Sequence, residues 1–484
     1  MQYKVIDTGN YRQIMEKYHV GSLLAKIVSS FNYTEEDLVS FFMPKEYGVY
    51  HHESFDRIKE ILEQARQQDR KVFVFGDYDC DGICATSLMV KCLDKLGIKY
   101  GYYIPNRFTE GYGLNLNRVM QAHEKGYDIL ITVDNGVSAH EALNYARDVG
   151  MTVIVTDHHV ISEEVECDVL SHPELFETDY SYLCGTGVVY VLAQYLGLSD
   201  DWMKELAMIA TIGDVMELKG FNVHLVREGL KLMNEHAVRN IDILGADIRF
   251  PCDETDVAFK IVPALNSIGR LADRANPNQA VRFLLTEDVR EMQYLAQQIR
   301  DLNEQRKSMT TAQYELIRDR YDASDDFVVI REENLHEGIT GILAGKLCDE
   351  VNKPCIVFTE SGGLLKGSGR SIPTVDILAI VSGFADRCVA LGGHRQACGI
   401  SIETGVYDDF INYLRHNYKP VGYTPVKECL EINREDLLRK NIDEVFAYGP
   451  YGQGRRIPTL RLIDGSNIKL KARLYNGFFI ERTR

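Results

Sequence analysis

The stretch KVFVFGDYDCDGICATSLMVKCLDKLG, residues 71–97, decides the fold. KVFVF is a short apolar run suited to a buried strand, and ICATSLMVKCLDKLG has helical spacing with a glycine stop. Between them Asp77, Asp79 and Asp81 fall within five positions. Carboxylates that close repel one another. The turn is therefore either an acidic loop spread into solvent or a site whose electrostatic cost a bound cation offsets.

The alternation continues outward from this unit. KYGYYI follows, then YDILITV and SAHEALNYARDVG, then MTVIVT. Strands alternating with helices at this spacing predict an α/β domain, a parallel sheet with helices on both faces. Such sheets carry their chemistry in the loops at the carboxyl ends of the strands. Those loops are GDYDCDG, DNG (Asp134 to Gly136) and DHH (Asp157 to His159). Three strand ends deliver carboxylate or imidazole to one edge, which argues for a metal centre over three solvated turns. LAMIATIGDVMEL adds Asp214 after a long apolar stretch; alone, such an aspartate reads as a cap or turn residue.

A chain of 484 residues is too long for one core and predicts two to four domains. With 45% apolar and 26% charged residues the composition is that of a folded soluble protein. No apolar run resembles a cleavable leader or approaches the roughly 20 residues of a bilayer span, so the expectation is a cytoplasmic protein without a membrane partner. The 11 cysteines include no CxxC pair and predict buried reduced thiols. A net charge of −17 argues on average against a nucleic-acid partner. After residue 445, however, eight basic residues (Arg455, Arg456, Arg461, Lys469, Lys471, Arg473, Arg482, Arg484) face two acidic ones (Asp464, Glu481). Tyr448, Tyr451, Tyr475, Phe478 and Phe479 lie among them. This interleaving suits a single strand, with an ordinary solvated tail as the alternative.

Residues 286–322 contain no glycine or proline and predict a long connecting helix. A second α/β pattern follows: DFVVIRE, GITGILAGKLCDEV and KPCIVFTE, then the glycine-rich SGGLLKGSGRS and ALGGHRQACGISI. In GSGRS, exposed backbone N–H groups, the Ser368 hydroxyl and the Arg370 guanidinium suit phosphate oxygens. GGH adds Gly392, Gly393 and His394. Glycine-rich loops are also common as plain turns.

Aspartate oxygens with one or two imidazoles favour Mn2+ or Mg2+ over zinc, and histidine tilts the choice towards manganese. Five or more such groups exceed the needs of one ion that keeps open positions. Two ions about 3.5–4 Å apart, sharing a carboxylate, accommodate them. Phosphoester hydrolysis is the predicted reaction class.

DYDCDG, VDNG, TDHH and IGDVMEL, then LKGSGRS and GGHRQACGIS, together with YYIPNRFTEGYGLN and PALNSIGR, stand in an order that resembles the DHH phosphoesterase superfamily. Within it the chain is similar to the RecJ-like single-strand-specific 5′→3′ exonucleases, from about residue 20 to about residue 460. The resemblance implies an N-terminal helical extension (1–50), a DHH domain (51–285), a linker helix (286–322) and a smaller α/β DHH-associated, substrate-binding domain (323–420). A partial segment like an oligonucleotide-binding (OB) barrel (421–484) would close the chain.

It also implies roles. Asp79, Asp81, Asp134, His158 and Asp214 would be metal ligands, with Asp134 bridging the two ions and Asp77 coordinating or orienting a ligand. Asp157 would orient its neighbours, and His159 would face the scissile phosphate as acid or charge stabiliser. Arg107, Ser368 and Arg370 would grip a 5′-phosphate and Arg270 the backbone nearer the scissile bond. Tyr112 would stack on a base or serve as a core or hinge residue. Some superfamily members have a histidine where this chain has Phe75, so one ion would be held more weakly or lean on Asp77. RecJ-like chains usually end in a full OB barrel. Here 24 residues follow FAYGPYGQGRRIPTL, too few for five barrel strands.

The implied activity is hydrolysis of single-stranded DNA from the 5′ end to 5′-mononucleotides, in repair and recombination. A single-strand-binding protein and a helicase are the implied partners. The alternatives are a DHH phosphodiesterase of short oligonucleotides or cyclic dinucleotides, and a RecJ-like scaffold without catalysis. Retention of every acidic ligand argues against the scaffold.

Overall fold

A computed structural model describes all residues except 1, 112, 237, 238, 247, 249, 323, 421–425, 463–466, 472–478 and 484. Tyr112 and the tail residues Asp464, Arg473, Tyr475, Phe478 and Arg484 thus lie outside the described residues. The chain divides into two compact units, one of Asp301–Val426 with Met1–Gln2 and one of Tyr3–Arg300 with Lys427–Arg484. The helix Val289–Ile317, foreseen over 286–322, runs across the division.

In the larger unit five parallel strands stand in the order Tyr100–Tyr103, Val72–Phe75, Ile129–Val133, Thr152–Thr156, Val169–Ser171. The central strand Ile129–Val133 is buried throughout, as a sheet covered on both faces requires. Four of the five strands match the apolar runs read above. The fifth, Val169–Ser171, is three residues long and too short to show a period. The first crossover helix, Cys80–Leu96, starts at Asp79, whose carboxylate accepts the Gly82 N–H at 3.1 Å, and stops at Gly97 with φ 69°.

The smaller unit has a mixed sheet. Val328–Arg331 runs parallel to Cys355–Ser361, and Leu364–Arg370, Ala397–Glu403 and Ala390–His394 follow antiparallel. The two glycine-rich stretches expected as loops are therefore strands. A Cβ on Gly367 would meet the Phe358 ring at 2.5 Å, and one on Gly369 would meet Cys398 Sγ at 2.6 Å. These glycines admit close neighbours rather than turn the chain.

A third sheet joins the two ends of the sequence, in the order Gln2–Val5, Val426–Ile432, Thr459–Leu462, Asn467–Lys471, Phe479–Thr483. The N-terminus, expected from the sequence as a helical extension, thus lends this sheet a strand. Three helices follow that strand, Tyr11–Tyr18, Ser22–Ser29 and Glu35–Phe42. Leu24, Ile27, Val28 and Phe41 share one core with Leu430, Ile432, Ile442, Val445 and Leu460. Tyr448 and Arg455 of the expected strand-binding tail are committed to that interior. Tyr448 stacks on Phe41 at 5.7 Å, and the Arg455 guanidinium lies 4.4 Å from the Phe41 ring centre. All 11 cysteines are free thiols. Among the described residues no helix is long and apolar enough to cross a membrane.

Candidate metal centre

The carboxyl ends of the parallel strands carry the acidic residues, as expected. Asp77 and Asp79 follow Val72–Phe75, Asp134 follows Ile129–Val133, and Asp157 and His158 follow Thr152–Thr156. Asp214 caps the carboxyl end of the helix Asp201–Gly213. Ligand atoms of three overlapping groups each lie within 4.8 Å of one another: Asp77, Asp79 and Asp134; Asp81, His158 and Asp214; Asp134, His158 and His159. His158 Nε2 stands 3.1 Å from Asp134 Oδ1, 3.6 Å from Asp214 Oδ2 and 3.7 Å from Asp81 Oδ2.

Each side chain is held by its own local device. Asp134 has φ 60°, a left-handed conformation uncommon outside glycine, and its N–H is tied to Thr156 O at 2.9 Å. Asp81 accepts the Gly185 and Thr186 N–H groups at 2.7 and 2.8 Å, so the amino end of the helix Gly185–Tyr195 binds both its oxygens. A carboxylate has about four lone-pair sites, which leaves Asp81 able to face an ion as well. Asp157 turns inward. Its oxygens accept the N–H groups of His158 at 2.7 Å and Val137 at 3.0 Å, and it meets His159 Nδ1 at 2.7 Å.

The electrostatics are those of a site short of positive charge. Burial, and after it the neighbouring aspartates, raise the carboxyls of Asp77, Asp79 and Asp134 above the ordinary range and push Asp214 up to about 8. Burial lowers His158, which favours the neutral imidazole that ligates metals. His159 is raised to about 9: burial acts against the charge, but Asp157, through its hydrogen bond and its charge, prevails. Asp157 is lowered by the same pairing in spite of its burial. Asp77 Oδ1 is buried with no hydrogen-bond partner, and the buried Asp134 Oδ1 has His158 Nε2 3.1 Å away but outside hydrogen-bond geometry. Buried carboxylate oxygens left bare beside one another, with a neutral imidazole among them, fit hard divalent ions.

Phe75, at the position where some relatives carry histidine, is fully buried and packs against Tyr103. Asp77 is the side chain in the cluster nearest to it in sequence. Arg107 lies over the Tyr78 ring at 5.4 Å, and both Arg107 and Arg270 act electrostatically on Tyr78, between Asp77 and Asp79. In the smaller unit Arg370 Nη1 donates to Gly369 O at 2.8 Å and Ser368 Oγ at 3.3 Å. Gly392 and Ser368 lie on one row of that sheet, each registered to Gly399, while His394 and Arg370 are both registered to Ala397. Gly392, Gly393 and His394 are exposed.

Several supports were missed in the sequence. Gly185 and Thr186 hold Asp81, and the small-residue turn LCGTG ahead of an apolar helix was the available signal. Asn266 of PALNSIGR accepts the Cys80 N–H at 2.7 Å, and Gly269 of the same motif lets Tyr78 O approach. His172 Nε2 meets His159 O at 2.8 Å.

Fold and site together define a DHH-type protein, and the family models agree. The DHH family N-terminal domain matches residues 71–213 and the DHHA1 domain residues 324–419. Single-stranded-DNA-specific exonuclease RecJ of Bacillus subtilis (strain 168) is 31% identical over 469 residues, 92% of this chain and 59% of that protein. RecJ of Dickeya dadantii (strain 3937) is 30% identical over 389 residues, 72% of this chain and 67% of that protein. The crystal structure of RecJ in complex with Mn2+ from Thermus thermophilus matches with a TM-score of 0.82 at 25% identity, over 100% of this chain and 74% of that one. The chain belongs to the RecJ family. It spans 59% of the length of the Bacillus subtilis protein.

Proposed function

We propose that this chain is a metal-dependent exonuclease that hydrolyses single-stranded DNA from the 5′ end and releases 5′-mononucleotides. One observation carries the reading: carboxylates and an imidazole from separate crossovers meet within 4.8 Å with buried oxygens left unpaired. The RecJ relatives are named as single-stranded-DNA-specific exonucleases, and the matched Thermus thermophilus structure is a Mn2+ complex.

Asp79, Asp81, Asp134, His158 and Asp214 would hold two Mn2+ or Mg2+ ions, with Asp134 shared and Asp77 assisting where Phe75 offers no ligand. Bound there, the ions would lower the pKa of water and neutralise charge developing on phosphoryl oxygens. The protein's own part is positioning. Asp157 takes the Nδ1 side of His159 and favours the charged ring, which would then serve as a donor to a phosphate or leaving oxygen. Arg107 and Arg270, gathered at Tyr78 beside the carboxylates, suit the strand's phosphates. Ser368 and Arg370, with Gly392, Gly393 and His394 on the same sheet, suit the terminal phosphate. A single-strand-binding protein and a helicase are the partners that would supply such ends.

The test is product analysis from 5′- and 3′-labelled DNA and RNA strands, from dinucleotide to 50-mer, with Mn2+. The expected result is labelled mononucleotide from the 5′-labelled DNA at early times, absent with Asp134→Asn. Survival of the 5′ label, or equal rates for wild type and Asp134→Asn, would falsify the proposal.

A further inference from the structure

Where the N-terminal helices, the helix Phe221–His236 and the C-terminal segment meet, the protein forms a half-open pocket of about 250 Å³ that shares no residue with the carboxylate rim. Arg227, Arg455 and Lys219 line it, with the rings of Tyr33, Phe41 and Tyr47. Its acids are already engaged or turned to solvent. Asp179 pairs with Lys45 at 2.7 Å, Asp37 accepts the Thr34 N–H and hydroxyl at 2.9 and 2.7 Å, and Glu36 is exposed.

The two arginines are not answered in the same way. Arg455 is only 2% exposed, yet among the described residues it forms no ion pair, and its Nε has no hydrogen-bond partner. Its Nη2 donates to Tyr448 O at 2.8 Å. Arg227 donates through Nε to Gly449 O at 3.0 Å and likewise has no ion pair among the described residues. Glu254, the carboxylate that acts on Arg455, accepts the Tyr451 N–H at 2.5 Å. Burial holds both guanidinium groups below their ordinary pKa; Arg227 further disfavours the charge of Arg455, while Glu228 and Tyr451 favour that of Arg227. Packing of Arg455 near Phe41 and Tyr451, at 4.4 and 5.7 Å from the ring centres, fastens the C-terminal segment. It does not neutralise the buried Arg455 guanidinium, to which the half-buried Arg227 adds a second positive charge, and a buried cation without an ion pair costs free energy.

We propose that this pocket binds a nucleoside monophosphate, with the phosphate at Arg227 and Arg455 and the base against the tyrosine rings. A guanidinium matches phosphate oxygens in shape and charge, and an aromatic ring lining the pocket can offer a base a stacking face. At about 250 Å³ the volume lies just below the usual range of small-ligand sites, roughly 300–1,000 Å³, which leaves room for one nucleotide at most and none for a strand. The inference is independent of the exonuclease reading.

The test is calorimetric titration of the full chain in chelator, on an Arg370→Ala background that removes the phosphate contact of the smaller unit. Deoxyadenosine monophosphate, inorganic phosphate and deoxyadenosine are titrated separately, then again with Arg227→Gln or Lys219→Gln added. The expected result is one site for the monophosphate, at least tenfold tighter than for either fragment. Arg227→Gln weakens it at least tenfold and Lys219→Gln weakens it measurably, with unliganded melting temperatures close to the parent's. Should Arg227→Gln fail to fold, Lys219→Gln decides. No binding, binding no tighter than inorganic phosphate, or binding indifferent to the folded variants overturns the proposal.

Discussion

Asp134 bears two costs at once, a left-handed backbone and a buried oxygen without a partner. Asparagine tolerates that backbone and stays neutral in the cluster without having to hold a proton there. Asp134→Asn is therefore expected to stabilise the chelated protein by about 1–3 kcal/mol. That raises its melting temperature by about 2–4 °C per kcal/mol. The same change should abolish the rise that Mn2+ gives the wild type and cut hydrolysis on the order of 10³-fold. Scanning calorimetry with and without Mn2+ checks this, and a lower melting temperature in chelator contradicts it. The pH dependence has a defined sign. Asp77, Asp79, Asp134 and Asp214 keep protons that the unfolded chain has released, so their contribution is present in acid and lost as pH rises, for Asp214 through about 8. His159 adds stability that is complete below the ordinary imidazole value and lost as pH rises through about 9. Without metal, the urea midpoint should fall from pH 5 to pH 9; a midpoint that climbs over that range rules this account out. These side chains were legible because strand ends announce them. The backbone donors of Gly185 and Thr186 were not, since they reach Asp81 from about a hundred residues away.

At the scale of the element, the helix Gly185–Tyr195 sets the site as much as the strands do. A Cβ on Gly185 would lie 2.5 Å from Asp134 Cβ and 2.6 Å from Asp134 Oδ1. Gly185→Ala is expected to cost about 1–3 kcal/mol by overpacking and to weaken Mn2+ binding by moving both Asp81 and Asp134. Titration of Mn2+ by calorimetry reads the effect, and unchanged affinity contradicts it. Periodicity exposed the crossover units well because each strand and helix is long enough to show its face. It misread GSGRS and GGH as loops, because glycine in a strand marks close packing as readily as a turn, and only the facing Phe358 and Cys398 tell the two apart.

Across the whole molecule, the two ends of the chain stabilise each other. Leu24, Ile27 and Val28 are fully buried in a core completed by Leu430, Ile432 and Leu460. Uncovering each large side chain costs about 1.5–3 kcal/mol. Truncation after residue 425 should make residues 11–42 sensitive to limited proteolysis while the segment 71–213 resists; equal resistance of both contradicts the shared core. A pairing of Gln2–Val5 with Val426–Ile432 cannot be read locally, since neither segment carries a mark of its partner. The central claim concerns the carboxylate rim itself. Anomalous scattering from crystals of the full chain soaked in Mn2+ tests it most directly. Two peaks among Asp79, Asp81, Asp134, His158 and Asp214 are predicted, and a rim without Mn2+ peaks would contradict the account.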